Sequence, residues 1–260
     1  MEYDHIMGES QVMDEFNDQV VLITGAGRGL GQELAVLFSS LGARVAANDI
    51  NPVSLDKTVD RILKSGGEAS PYVFDIAKRM PIEAMVAQVL EHYGRIDILI
   101  NHARVEPDAS ILEMDEWEFH RTMDVNLGGY FFTTQQVGRV MRQQGAGTIV
   151  NLISNGGRVD IRKGRATQLA SQAGLIGLTR AAARELITHH IRVNAVFDGQ
   201  LDVGFVPFPE LDFTTYQHWW DGHPELKLCA QSAVLSLVVF VCSRAASSLT
   251  GQILSPLPGI

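Results

Sequence analysis

Residues 19–42 read QVVLITGAGRGLGQELAVLFSSLG, and the parsing of this stretch decides the fold. QVVLITG is a short apolar run of strand type, and GQELAVLFSSLG has helical spacing. Gly25, Gly29 and Gly31 follow Thr24 at a spacing suited to a tight turn and to close approach of a pyrophosphate. The first turn of the helix then offers free N–H groups and a positive dipole end to phosphate. A glycine triplet alone fits a plain strand–helix turn equally well. Two features of context favour phosphate: the triplet lies in the first βα unit, and Asp49 closes the next strand eighteen residues after Gly31. A carboxylate there accepts hydrogen bonds from the adenine-ribose hydroxyls and repels a 2′-phosphate, which points to NAD. Arg28 pulls toward NADP. The direct cost of a carboxylate beside a phosphate gives Asp49 the greater weight.

Outward from this unit, apolar runs alternate with amphipathic segments: ARVAAND, PVSLDKTVDRILKSGG, ASPYVFD, IEAMVAQVLEHYG, IDILINH, a long helical stretch within 113–143, and GTIVNLIS. A helix from about 166, the strand IRVNAVF, a helix over 228–243 and a short strand at 252–255 complete the pattern. Nearly continuous apolar strands separated by helices predict an α/β fold. The expectation is a doubly wound, Rossmann-like parallel sheet of about seven strands in the order 3-2-1-4-5-6-7, with helices on both faces. One domain over 17–260 is expected, with an acidic tail over 1–16 and a lid-like loop region over 200–226. Asp75 ends the third strand, placed either to receive an adenine amino group or to cap the strand end.

Composition narrows the partners. The net charge of −9 argues against a nucleic-acid surface. No run approaches the roughly 18 apolar residues of a membrane span, and the N-terminus lacks the features of a signal peptide. Cys229 and Cys242 have no metal or redox spacing, and His218, Asp221 and His223 have no ligand spacing, so no metal is expected. A cytoplasmic setting is the expectation.

TGAGRGLG, ILINHA, DVNLGGYFFTTQ, GTIVNLIS, ASQAGLIGLTRAAARE, IRVNAV and LTGQIL, in this order, resemble the short-chain dehydrogenase/reductase family over about residues 18–255. The resemblance implies a dinucleotide set of Thr24, Gly25, Gly27, Arg28, Gly29, Leu30, Gly31, Asp49, Asp75, Ile76, Asn101 and Ala103. It also implies a catalytic group: a serine that polarises the substrate carbonyl, an asparagine that holds a water, and a tyrosine with a lysine four residues later. The tyrosine exchanges a proton with substrate. The lysine lowers the tyrosine pKa and holds the nicotinamide ribose, because a phenol of pKa about 10 needs a nearby cation to act near neutral pH. Ser154 and Asn126 fit two of these places, although a hydroxyl at a strand end can equally bond backbone. Gln168 and Gln172 hold the tyrosine and lysine places, and a carboxamide has no proton to trade near neutral pH.

Further departures surround the same half of the site. The family's Asn-Asn-Ala-Gly reads Asn101-His102-Ala103-Arg104, its Pro-Gly reads Asp198-Gly199, and an expected threonine is Val203. The adenosine half looks intact and the nicotinamide half does not. The expectation is therefore an NAD-binding, catalytically impaired protein, with weaker binding or none as a variant of that reading. Such a protein would serve as sensor, scaffold or partner of an active homologue. The alternative is an active oxidoreductase of the 3-oxoacyl-reductase or alcohol-dehydrogenase type, drawing on Lys163, Tyr216 or a water held by Asn126. Arg158, Arg162, Lys163 and Arg165 form either a site for a small anionic or acyl ligand or a solvated basic loop. The aromatics of 200–226 fit a pocket lining, a subunit contact or core packing alike. The small and apolar faces of the helix from 166 suggest a homodimer, homotetramer or hetero-oligomer.

Overall fold

The computed structural model describes residues 15–154, 164–198 and 224–256, with the backbone alone for 224–230. Its elements are β1 (Val20–Thr24), α1 (Gly29–Ser40), β2 (Arg44–Asp49), α2 (Pro52–Lys64), β3 (Glu68–Val73), α3 (Arg79–Tyr93) and β4 (Ile98–Asn101). There follow α4 (Glu116–Met123), α5 (Tyr130–Gln144), β5 (Gly147–Ile153), α6 (Ala166–Leu186), β6 (Ile191–Phe197), α7 (Pro224–Cys242) and β7 (Ile253–Leu254). The strands form one seven-stranded sheet in the expected order β3-β2-β1-β4-β5-β6-β7. Every pairing is parallel.

Side-chain alternation along β1 shows why both faces are covered. Val21 and Ile23 join a cluster with Leu34 and Phe38 of α1 and Val238 of α7. Val20 and Leu22 join another with Val89 of α3, Val137 and Met141 of α5, and Ala183 of α6. A strand apolar on both sides needs such a partner on each. Local signals set the helix starts. Asn51 accepts from Ser54 N ahead of Pro52, and Asp115 accepts from Glu118 N at 2.7 Å.

One expectation needs correction. The tail expected over 1–16 ends sooner, because Phe16 is fully buried edge-on against Phe38, with ring centroids 5.1 Å apart. Residues 1–14 lie outside the described residues. The long helical stretch expected within 113–143 runs unbroken over Glu116–Gln144 as α4, a π-helical turn, Asp124–Gly129, which carries Asn126, and α5. A 3.6-residue period cannot register one extra residue in a turn. The turn also brings Gly129 onto the loop after β3, where a Cβ would lie 2.8 Å from Ile76 Cδ1.

Candidate functional site

The loop between β1 and α1 has the backbone that phosphate recognition requires. Gly25 and Gly29 have φ of +72° and +57°, the left-handed region that side chains disfavour. A Cβ on Gly31 would lie 2.2 Å from the Gly25 carbonyl oxygen, so only glycine fits there. Gly27 N donates to Asp49 Oδ2 at 3.0 Å, and Asn51 N donates to Asp49 Oδ1 at 2.9 Å. Asp49 is thereby fixed beside the loop. Arg28 is exposed at the N-cap of α1 and makes no capping bond with its side chain. The N–H groups of the first helical turn, from Gly29, Leu30 and Gly31, have no partner within the helix by construction. These residues fit the adenosine and pyrophosphate part of a dinucleotide.

Several residues expected on the cofactor turn out to hold the scaffold. Thr24 is fully buried, and its Oγ1 accepts from His102 N at 3.0 Å and Ala103 N at 3.2 Å. Thr24 and the Ala103 amide therefore tie β1 to the end of β4. Asn101 is also fully buried. It donates to Asn151 Oδ1 at 2.9 Å and accepts from Thr133 Oγ1 at 2.6 Å, while Asn151 donates to Thr179 Oγ1 at 3.0 Å. This polar ladder runs through β4 and β5 from α5 to α6, and its carboxamides are committed to one another. Ile76 is buried beneath Gly129. Asp75 accepts from Ala77 N at 2.9 Å and from Arg121 Nη1 at 2.7 Å, the strand-end role. Partial burial works against the Asp75 charge, but Arg121 and the Ala77 amide outweigh it and lower the pKa.

At the carboxyl end of β5 the structure brings together Ser154, Gln168 and Gln172, all buried. Gln168 Nε2 donates to Ser154 Oγ at 3.3 Å, and Arg165 Nη1 donates to Gln168 Oε1 at 3.2 Å. Gln172 Oε1 accepts from Ser154 N at 3.0 Å. The serine thus sits between two carboxamides. The Asn126 carboxamide, expected to hold a water, instead bonds Val105 at both ends, accepting from its N–H at 2.8 Å and donating to its carbonyl at 2.9 Å. It pins the loop after β4.

Beside this cluster lies a group that sequence reasoning did not assemble. Arg104 Nη1 donates to Asp198 Oδ2, and Arg104 Nε donates to Glu106 Oε1 at 2.6 Å. The Arg104 and Asp198 side chains are 18% and 1% exposed. Burial alone would lower the Arg104 pKa, but the carboxylates of Asp198 and Glu106 more than reverse this and raise it. Arg104 follows β4 and Asp198 follows β6, with β5 between them. Strands are spaced about 4.8 Å apart, so the pair reaches roughly 10 Å across the carboxyl end of β5. Both residues were visible as separate departures. Their opposite charges were the available signal, but they stand 94 positions apart.

Two neighbouring groups are held out of proton chemistry. Tyr130 is fully buried with its hydroxyl donating to Leu152 O at 3.1 Å, and burial raises its pKa. His102 Nδ1 lies 3.2 Å from Gly25 O. Burial first, and the Arg104 charge second, lower the His102 pKa to about 4, so the ring is neutral and its Nδ1–H donates to that carbonyl. An open groove of about 480 Å³ runs past the start of α6, lined by residues that include Ala109, Ile111, Met114, Phe119, Ala166 and Ala170.

The sequence model of the family described as Enoyl-(Acyl carrier protein) reductase matches residues 25–256. The chain belongs to the short-chain dehydrogenase/reductase family. An uncharacterized oxidoreductase from Thermotoga maritima is 36% identical over 247 residues, covering 92% of this chain and 96% of its own. The 3-oxoacyl-[acyl-carrier-protein] reductase FabG of the same organism is 35% identical, covering 91% of this chain and 95% of its own. A crystal structure of a short-chain type dehydrogenase/reductase from Mycobacterium marinum superposes with a TM-score of 0.82 at 30% identity, covering 96% and 97% of the two chains. Short-chain dehydrogenase/reductase proteins bind NAD or NADP, and the glycine loop described above lies in the position this requires. Among the described residues, no helix is long and apolar enough to cross a membrane, and no group of three or more metal-ligating residues assembles. Arg158, Arg162, Lys163, Val203, the aromatics from Phe205 to Trp220, and the histidines at 218 and 223 lie outside the described residues.

Proposed function

We propose that this short-chain dehydrogenase/reductase protein is an NAD(H)-binding member that does not transfer hydride at an enzyme's rate, and that it acts as a sensor, scaffold or partner of an active homologue. A bound nicotinamide supplies or accepts the hydride in this family; the protein must supply the proton and hold the ring. The observation that carries the reading is the Ser154–Gln168–Gln172 cluster. Its carboxamides satisfy Ser154 Oγ and Ser154 N, and neither can lose a proton near neutral pH. Loss of a positioned general acid or base costs about 10²- to 10⁴-fold. Asp49 beside the loop supports NAD over NADP. The groove at Ile111 and Phe119, apolar apart from Asp115, Glu116 and Thr167, suits a small acyl ligand better than an anionic one. Exposed Trp117, Phe119 and Phe131 on α4 and α5 support a homodimer, homotetramer or hetero-oligomer.

Likeness to a 3-oxoacyl reductase supports the second reading, an active oxidoreductase with a non-standard acid or base. NAD(H) calorimetry paired with turnover on a panel of ketones and alcohols separates the two. Binding without turnover supports the first reading, and turnover above about 1 s⁻¹ defeats it. Activity gained by the double substitution Gln168→Tyr, Gln172→Lys locates the deficit in those two positions.

A further inference from the structure

The two ends of the expected dinucleotide site differ in what they leave for a ligand. We infer that the site takes an adenosine diphosphate ligand lacking the nicotinamide ring, of the ADP-ribose or ADP class, at least as well as it takes NAD. This rests on the proposed NAD-binding reading and goes beyond it by naming where along the dinucleotide recognition stops.

At the adenosine end the residues fit. Gly31 and Gly27 are glycines where no Cβ fits, at 2.2 Å from the Gly25 carbonyl oxygen and 2.7 Å from Asp49 Oδ2, so the loop closes tightly on the start of α1 and on Asp49. Asp49 is oriented by two backbone amides, and the first-turn N–H groups of α1 face the pyrophosphate position. At the other end the residues do not fit. The ion pair of Arg104 with Asp198 bridges from β4 to β6 across the end of β5. Gln172, at the place whose lysine would hold the nicotinamide ribose, spends its oxygen on Ser154 N. Gln168 has both ends bonded, to Ser154 and Arg165. A nicotinamide ring entering here must displace the side chains of the buried Arg104–Asp198 pair, whose bulk fills the place. A ligand that ends at the second phosphate or its ribose meets the glycine loop and stops short of the pair. It loses nothing by lacking the ring.

The test is calorimetric competition on the full chain among ADP, ADP-ribose, NAD⁺ and NADH at one ionic strength. The expected result is a Kd for ADP-ribose equal to or below that of NAD⁺, with ADP within about tenfold of both. NAD⁺ or NADH binding tenfold or more tighter than ADP-ribose overturns the inference and leaves the NAD-binding reading standing. No binding by any of the four overturns both. In the double variant Arg104→Gly, Asp198→Gly, the affinity for NAD⁺ relative to ADP-ribose should rise at least tenfold; an unchanged ratio also sinks the inference. The double variant Arg104→Met, Asp198→Leu fills the same space without charge and keeps the core packed. It should retain the wild-type ratio to within about threefold, and a tenfold rise there would show that the ring place was never filled.

Discussion

The carboxyl edge of the sheet carries two surfaces of opposite character side by side. Along β1 and β2, recognition is built from backbone: glycines in left-handed conformations, amide groups at a helix start, and one carboxylate fixed by amides. Along β4, β5 and β6, the polar side chains are turned on one another, Arg104 to Asp198 and Glu106, and Ser154 to Gln168 and Gln172. The first surface keeps hydrogen-bonding capacity for something outside the chain. The second has consumed most of its own. On the proposed reading, one half of the binding site is retained while the other half is internal structure, and the halves are held by different strands.

Four measurements can break or sharpen this contrast. The largest effect is expected from Arg104→Gly alone. It strips a carboxylate that is 1% exposed of its guanidinium and should cost about 3–5 kcal/mol in urea unfolding. Adding Asp198→Asn should recover a good part of that loss, and simple additivity of the two substitutions would show that the pair is not coupled. Gly31→Ala is next. Its Cβ is forced against backbone rather than a yielding side chain, so about 1–3 kcal/mol should be lost together with binding of any adenosine diphosphate. Unimpaired binding would remove the glycine loop from the site.

The third measurement is pH dependence. The folded state holds the His102 pKa near 4, against 6.5 for the free ring. Between these values the unfolded chain takes up a proton that the folded chain refuses. Stability is therefore full above about pH 6.5, falls as the pH drops, and loses up to about 3 kcal/mol by pH 4. Replacing His102 with Asn should flatten that slope in pH-dependent unfolding; an unchanged slope assigns it to other groups. The smallest effect is expected from Gln168→Ala, which removes one 3.3 Å bond to Ser154 and one to Arg165, and should cost about 1 kcal/mol in thermal unfolding. A loss several times larger would mean that the glutamine supports more than its own cluster.

What the sequence made legible follows the same division. The β1–α1–β2 unit could be read because its requirements are local: glycine where no Cβ fits, and an acid at the next strand end. The apolar runs marked the strands, and the doubly wound pattern with the family resemblance implied their order. Asn101 and Thr24 entered the cofactor set by motif position, which says nothing about which way a side chain turns, and the structure shows their bonds within the chain. Their place in strands buried on both faces was the physical clue to internal partners. The Arg104–Asp198 pair was legible only as two isolated oddities, since charge complementarity between distant positions acquires meaning once β4 and β6 are known to flank β5. The corner where Asn126 grips Val105 was hidden for another reason: the residue was noticed, but its partner is backbone, which carries no sequence signal.

The π-helical turn at Asp124–Gly129 has a consequence for chain length. The extra residue in that turn sets the rotation of α5 relative to α4. Deleting one residue from it would restore an ordinary helix and swing everything downstream by about 100°. Asn126 could then face Val105, or Tyr130, Val137 and Met141 could face the core, but both could not hold at once. A change of length in this segment forces a choice between the clamp over the site and the packing beneath it.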